Sequence, residues 1–139
     1  MRPVASARSI PHLTRLVRRI NANATQQLLG MNLKQVAMLA ALRDQGELPQ
    51  TFLCDMMKTT QNTVVTWLNE LEDAGYVSRI RDPEDRRKHN VALTEKGSAA
   101  LERAETELRR LEDEALAGLT ADERTQLRKL LAKALDALA

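Results

Sequence analysis

The sequence predicts a mainly α-helical protein with one small β-hairpin, and three observations support this fold class. Apolar residues recur at spacings of three and four through most of the 139 residues. The period shortens to that of strands only near residues 76–81 and 90–93. Aromatic residues make up 2% of the chain, so the core must be aliphatic. This length suits one domain with helical extensions.

Two amphipathic helices are predicted in the first third of the chain. The first begins at Pro11, a residue suited to the first helical position, and ends near Gly30. Asn32 and Gln35 resemble a capping pair that opens the second helix, which Gly46 ends. The apolar face of the first helix is formed by Leu13, Val17, Ile20 and Ala24.

The next two helices are short and separated by a tight turn. The third runs from Gln50 to Met57, with an apolar face of Phe52, Leu53 and Met56 or Met57. Thr60 is a good N-cap for the fourth helix, and Gly75 is its expected C-terminal glycine. Because they recur at helical spacing, we assign four residues of the fourth helix to the core: Val64, Trp67, Leu68 and Leu71.

A β-hairpin and two more helices complete the chain. Residues 82–89 form the predicted hairpin loop, and four side chains are expected to anchor its strands: Val77, Ile80, Val91 and Leu93. Thr94 caps the fifth helix, and Gly118 ends it. Thr120 with Glu123 forms a capping box for the last helix. Helix, turn, helix and hairpin in this order describe a winged helix-turn-helix, an architecture that reads DNA.

The fourth helix is the candidate reading helix. With its apolar stripe turned inward, polar side chains near its N-terminus should face outward. Glutamine and asparagine can bond adenine through two hydrogen bonds, and threonine hydroxyls can bind phosphate. The candidate DNA-binding residues here are Thr60, Gln61, Asn62, Thr63 and Thr66.

Residues 71–97 read LEDAGYVSRIRDPEDRRKHNVALTEKG. This stretch resembles the MarR family of bacterial transcription regulators, whose pattern is LExxGxVxRxxDxxDxRxxxVxLTxxG, and every fixed position is met. Lys58 stands where many members have glycine, and Gln61 and Thr66 stand where many carry arginine. Strong phosphate or guanine contacts from the reading helix are therefore not assumed.

The resemblance implies a homodimeric regulator, most often a repressor, bound to a pseudo-palindromic operator in double-stranded DNA. Residues 1–31 and 98–139 would form the dimerisation region, and residues 32–97 the DNA-binding domain. In the wing, the acid of the Asp-x-Arg pair would brace the loop and the arginine would place it on DNA, with Arg86 as the minor-groove probe. We expect Asp85 to turn inward and orient a neighbouring arginine, and a structural salt bridge from Asp85 to Arg87 is compatible with this role. The candidate wing residues are Arg79, Arg81, Asp85, Arg86, Arg87 and Lys88. The family also implies a small aromatic or phenolic effector, with no assignable pocket residue.

Composition and spacing disfavour other classes. No phosphate loop, nucleophile elbow or metal-ligand spacing occurs, so neither an enzyme nor a metal or cofactor is expected. With Cys54 as the single cysteine, no secretory signal and no long apolar run, a cytoplasmic protein is expected, and Cys54 is interpreted as a buried, inert thiol. His12 and His89 are isolated. One alternative stays open: the net charge of +2 and a reading helix without arginine also suit a winged-helix protein–protein module or antirepressor that does not bind DNA.

Overall fold

The computed structural model describes residues 8–23 and 30–138 of the chain. These residues form six α-helices and three short β-strands in the predicted order, with one strand that was not predicted. The elements are α1 (Ser9–Asn23), α2 (Leu33–Gln45), β1 (Leu48–Pro49), α3 (Gln50–Met57), α4 (Gln61–Asp73), β2 (Val77–Arg81), β3 (His89–Leu93), α5 (Glu95–Ala115) and α6 (Ala121–Asp136). The last part of the predicted first helix, from Ala24 on its apolar face to the residue before Gly30, lies outside the described residues.

The chain divides into two compact units. One unit contains Ala24–Leu108, and the other combines Met1–Asn23 with Arg109–Ala139, so α5 contributes to both. The first of these units has an aliphatic core to which each of its helices and the sheet contribute, and Trp67 packs against it, half-buried, as predicted for a core residue. The core includes Met38, Leu39, Leu53, Val64, Leu68, Leu71, Val77, Val91 and Leu101.

The predicted starts of α2 and α6 are confirmed by their capping hydrogen bonds, whereas α1 begins at Ser9, two residues before the predicted Pro11. Asn32 and Gln35 form a reciprocal capping box at α2, in which Gln35 N donates to Asn32 Oδ1 at 2.8 Å. Thr120 and Glu123 do the same at α6. These side chains satisfy backbone N–H groups that have no partner inside the helix, which explains why each helix begins where its polar residue stands.

The sheet is antiparallel, with strand order β1-β3-β2. In the hairpin, Arg79 pairs with Val91 and Ile80 with Asn90. The unpredicted strand β1 has only two residues, and its Leu48 pairs with Val91. A two-residue strand has no periodicity to detect, so its pairing depends on the tertiary fold.

Two predicted apolar contacts are wrong. Phe52, assigned to the apolar face of α3, is 41% exposed, and Leu53 alone is fully buried on that helix. Ile80, expected to anchor the hairpin, is 46% exposed. The strand alternation explains the second error, because Val77 and Arg79 share one face of β2 while Ile80 lies on the other.

The start of α5 is held tightly against the end of α4 and the beginning of β2. Thr94 Oγ1 accepts a hydrogen bond from Gly97 N at 2.9 Å, as predicted for an N-cap, and donates one to Gly75 O at 2.6 Å. Gly97 is buried, and a Cβ atom at this position would overlap with the carbonyl oxygen of Tyr76. Only glycine therefore fits where the hairpin returns to the helical core.

The second unit contains few buried side chains in its described part. Arg124 Nη1 donates to Asp113 Oδ1 at 2.8 Å, which joins the start of α6 to the end of α5. Leu111 is 5% exposed, whereas most apolar side chains of α1 and α6 face outward. The exposed apolar residues are Ile10, Leu13, Val17, Leu130, Leu131, Leu135 and Leu138. Among the described residues, no helix combines the length and the apolar character needed to span a membrane.

Candidate nucleic-acid interface

The N-terminal turn of α4 presents polar side chains to solvent, as predicted. Gln61 and Asn62 are exposed, and no hydrogen bond restrains either side chain among the described contacts. Thr60 is the N-cap, and its Oγ1 accepts a hydrogen bond from Thr63 N at 3.3 Å. Because α4 carries no acidic residue in its first turn, its N-terminal N–H groups can attract a phosphate without repulsion.

The other two threonines of the predicted set are already engaged within the helix. Thr63 is half-buried, and its hydroxyl oxygen lies 2.7 Å from that of Thr60. Thr66 is exposed, but its hydroxyl donates to the carbonyl oxygen of Asn62 at 3.0 Å. Gln61 and Asn62 are therefore the side chains of this turn that are most available to a partner.

Gln35 fixes the position of α4 from behind, a role that the sequence indicated only in part. The side chain is 2% exposed, and its Nε2 donates to Trp67 O at 3.2 Å and to Glu70 Oε2 at 2.8 Å. Its Oε1 accepts from Asn32 N at 3.0 Å. The capping pattern in the sequence predicted the local hydrogen bonds between Gln35 and Asn32. The hydrogen bonds from Gln35 to α4 join residues more than thirty positions apart, and no sequence pattern predicts them.

The wing loop is shaped by two aspartates that bond to backbone N–H groups. Asp82 Oδ1 accepts from Glu84 N at 2.8 Å, and Asp85 Oδ1 accepts from Arg87 N at 3.0 Å. The backbone of Asp85 closes a further turn, because its carbonyl oxygen accepts from Lys88 N at 3.0 Å. Aspartates commonly stabilise turns in this way, and the role of Asp82 was not predicted.

The proposed bracing of the loop by Asp85 takes a different form from the one expected. The sequence suggested that its carboxylate orients an arginine side chain through an ion pair. Within the described parts of the chain, no ion pair joins Asp85 to Arg86 or Arg87, and the carboxylate instead holds the Arg87 backbone. The arginine side chains of the loop remain exposed as a result.

Four of the five predicted basic wing residues face solvent, and the fifth does not. Arg81, Arg86, Arg87 and Lys88 are exposed. Arg79 is half-buried, and its Nη2 donates to the carbonyl oxygen of Val65 in α4 at 3.3 Å. Arg79, a candidate DNA-binding residue of the wing, therefore lies partly against α4, since the alternation of β2 turns this side chain toward that helix.

The thiol of Cys54, the potential metal ligands and one cavity are the remaining candidates for a site among the described residues. Cys54 is half-buried rather than fully buried, and desolvation, with a smaller contribution from Asp55, raises the pKa of its thiol. No group of three or more metal-binding side chains occurs in residues 8–23 and 30–138. In the unit built from the two chain ends, a cavity of about 190 Å³ is lined by Leu16, Arg19, Ile20, Leu111, Glu114 and Ala115.

Comparisons with known proteins agree with this geometry. The sequence model of the MarR family matches residues 31–89, from the residue before the cap of α2 to the start of β3. An uncharacterised HTH-type transcriptional regulator of Bacillus subtilis, YdgJ, is 34% identical over 104 residues, which are 75% of this chain. The chain spans 63% of the length of that relative.

Solved structures match over most of the chain. A probable transcriptional regulator from Pseudomonas aeruginosa is 30% identical, with a TM-score of 0.74 over 89% of this chain and 95% of that one. BpsR of Bordetella bronchiseptica, whose DNA binding is regulated by 6-hydroxynicotinic acid, is 29% identical, with a TM-score of 0.75 over 91% and 98% of the two chains. A mutant MarR from E. coli in complex with operator DNA is 26% identical, with a TM-score of 0.69 over 94% and 99%.

Proposed function

Because this chain belongs to the MarR family, we propose that it is a sequence-specific, DNA-binding transcription regulator of the cytoplasm, and a repressor rather than an enzyme. The observation that carries the proposal is the pairing of two exposed surfaces. The N-terminal turn of α4 offers Gln61 and Asn62, and the wing offers basic side chains on a loop that aspartates hold in shape. Base edges in the major groove suit the first surface, and the negative potential of a minor groove suits the second.

The regulator is proposed to act as a homodimer. Seven large apolar side chains of α1 and of the last helical segment are exposed in the single chain, and Leu138 reaches 82% exposure. Apolar surface of this extent is normally covered by a partner. A two-fold axis would place two copies of α4 in successive major grooves, about 34 Å apart, on a pseudo-palindromic operator.

The effector is proposed to be a small aromatic or phenolic molecule, with carboxylates as the first class to test. The cavity in the unit of the chain ends supports a small ring-shaped effector, since Leu16, Ile20 and Leu111 offer apolar walls; Arg19 offers a cation to a carboxylate, and the carboxylate of Glu114 opposes it. DNA binding requires a spacing of the two reading helices that matches the operator half-sites. A ligand that binds more tightly when the helices have a different spacing would lower the affinity for DNA.

DNA binding is tested by selecting genomic fragments that the protein retains and measuring their affinity by fluorescence anisotropy at several salt concentrations. Asn62→Ala should relax preference at one or two operator positions, at a cost of about 1–3 kcal/mol in discrimination. Arg86→Ala should lower the salt slope by about one counterion per chain. Gln126→Ala and Arg103→Ala, which remove exposed side chains of similar types elsewhere, serve as matched controls and should change neither property.

Failure of the wild-type protein to retain any DNA at low salt would contradict the proposal and favour a protein–protein module.

Dimerisation is measured by sedimentation at micromolar concentration, where twice the monomer mass is expected. For the effector, 6-hydroxynicotinic acid, the compound named for BpsR, is the first probe. If it releases DNA from the wild type and from Arg19→Gln equally well, the assigned cavity is wrong.

A further inference from the structure

Arg79 is the one wing arginine whose position is not explained by contact with DNA. Its Cα pairs with Val91, a fully buried residue of the central strand, so the side chain starts at the middle of the hairpin. From there its Nη2 reaches the Val65 carbonyl oxygen in the first half of α4. The side chain thus spans from the wing to the reading helix.

This arrangement is unfavourable for stability alone. The Nε atom of Arg79 is buried and has no hydrogen-bond partner, and no carboxylate of the described residues forms an ion pair with the guanidinium. A partly desolvated cation without a counter-charge costs free energy, and an apolar side chain of similar length would avoid that cost. A side chain that is held at such a cost suggests a role other than filling space.

The acceptor also has a consequence for α4. In an α-helix the carbonyl oxygen of Val65 already accepts from the amide of Asn69, so Arg79 adds a second donor to a satisfied group. Val65 follows the core residue Val64 and lies one turn after Gln61. The contact therefore meets the helix one turn after the exposed turn that is proposed to read bases.

We infer that Arg79 is a positioning residue that sets the orientation of the wing relative to α4, an inference that rests on the proposed DNA-binding function. Both surfaces must engage one DNA duplex at the same time, and affinity depends on a fixed distance between them. Arg79 supplies that constraint without touching DNA itself.

The first test needs no DNA and uses the chain of 139 residues. Arg79→Met removes both the cation and the donors, whereas Arg79→Lys keeps the positive charge and N–H donors on a side chain of similar direction. Hydrogen exchange of the β2–β3 backbone amides should become several-fold faster in Arg79→Met, the Asn69 amide resonance should move, and Arg79→Lys should restore both in part. The melting temperature of Arg79→Met should be equal to or above that of the wild type. Unchanged exchange and an unchanged Asn69 resonance would overturn the inference.

The second test uses the operator fragments that the wild-type protein selects. Arg79→Met should bind DNA about twofold to thirtyfold more weakly, the range expected for coupling between sites. The slope of affinity against salt should stay at the wild-type value, since no phosphate contact is lost. Arg81→Met, two residues along the same strand and exposed, is the matched comparison and should lower the slope if it meets a phosphate.

The outcomes separate the two proposals. A slope that falls by about one counterion per chain in Arg79→Met would mean direct phosphate contact and would overturn the positioning role. Unchanged DNA affinity of Arg79→Met would overturn that role as well. If the wild-type protein binds no DNA, the proposed function fails, whereas the exchange measurement still decides whether Arg79 couples the wing to α4.

Discussion

The side-chain amide nitrogen of Gln35 lies 2.8 Å from Glu70 Oε2, and this hydrogen bond joins the first turn of α2 to the last turns of α4. The same amide group also caps α2 through Asn32 and contacts the backbone of Trp67. One buried polar side chain therefore defines both where α2 begins and how the reading helix is placed against it.

Gln35→Ala should lower the free energy of unfolding by about 1–3 kcal/mol, because it removes the hydrogen bonds of a buried side chain, one of them to a carboxylate. Glu70→Gln is the matched control: it keeps an oxygen that can accept from Gln35 and should cost less than about 1 kcal/mol. Urea denaturation followed by the fluorescence of Trp67 measures both. Equal stability of Gln35→Ala and the wild type would show that the network does not hold the helices.

The turn between α3 and α4 contains a left-handed residue that is not glycine. Lys58 has φ 50 and ψ 43, and this conformation costs a non-glycine residue about 1–2 kcal/mol. After allowing for the larger entropy of glycine in the unfolded chain, Lys58→Gly should be more stable than Lys58→Ala by about 1 kcal/mol. Both variants lose the charge, so thermal denaturation of the pair isolates the backbone effect. A more stable alanine variant would contradict the assigned strain.

Gly97 and Gly118 provide a contrast between a crowded glycine and an open one. A Cβ atom at Gly97 would overlap with the Tyr76 carbonyl oxygen and approach Leu93 Cδ1 at 2.9 Å, whereas nothing lies within 4 Å of one at Gly118. Gly97→Ala should therefore destabilise the protein by at least about 2 kcal/mol, and Gly118→Ala should stay within about 0.5 kcal/mol of the wild type. Calorimetry of the two variants measures the difference, and similar melting temperatures would refute the close contact.

Asp85 offers a test in which two physical effects have opposite signs. Asp85→Ala removes the acceptor for Arg87 N, so wing order and DNA affinity should fall, by about twofold to tenfold. Asp85→Asn keeps an acceptor and removes only the charge, so it should bind at least as tightly as the wild type. Anisotropy titrations at several salt concentrations compare them. Tighter binding by Asp85→Ala at every salt concentration would mean that repulsion, and not loop order, dominates.

Cys54 should react slowly with thiol reagents at neutral pH. Partial burial raises the pKa of its thiol, so a smaller fraction is thiolate than for an exposed cysteine, and the thiolate is the reactive form. The rate of alkylation by iodoacetamide should be several-fold lower in the folded than in the urea-unfolded protein at mildly alkaline pH. The two rates should converge as the pH rises above the raised pKa. Faster reaction of the folded protein would indicate an activated thiol.

The sequence predicted well those features that local patterns determine. Helix starts followed from caps such as Asn32 and Thr120, and the buried stripe of α4 followed from its helical spacing. The exposure of side chains on the short elements was harder to predict. Phe52 and Ile80 each lie on a helix or strand that is too short for its sequence pattern to show which face is buried. The strand β1 and the contact between Arg79 and Val65 depend on tertiary packing, for which one sequence holds no periodic signal.

The candidate site was predicted by residue type more than by residue role. Gln61, Asn62 and Arg86 are exposed where expected. Asp85 forms a hydrogen bond with the backbone of Arg87 in place of the expected ion pair. A carboxylate commonly accepts from the N–H group two residues later in a turn, and an ion pair with an exposed guanidinium contributes too little free energy to compete with that bond.

The strand order β1-β3-β2 leaves the sheet with two open edges, and both are poor templates for another chain. One edge is a two-residue strand that ends in Pro49, which has no N–H group to donate. The other is β2, which ends in the exposed cation Arg81. Short length, proline and charge are features that hinder edge-to-edge pairing of sheets. Neither edge of the described sheet therefore favours backbone pairing with a second copy, so the proposed self-association would depend on the helices, and the wing can be exposed without promoting aggregation.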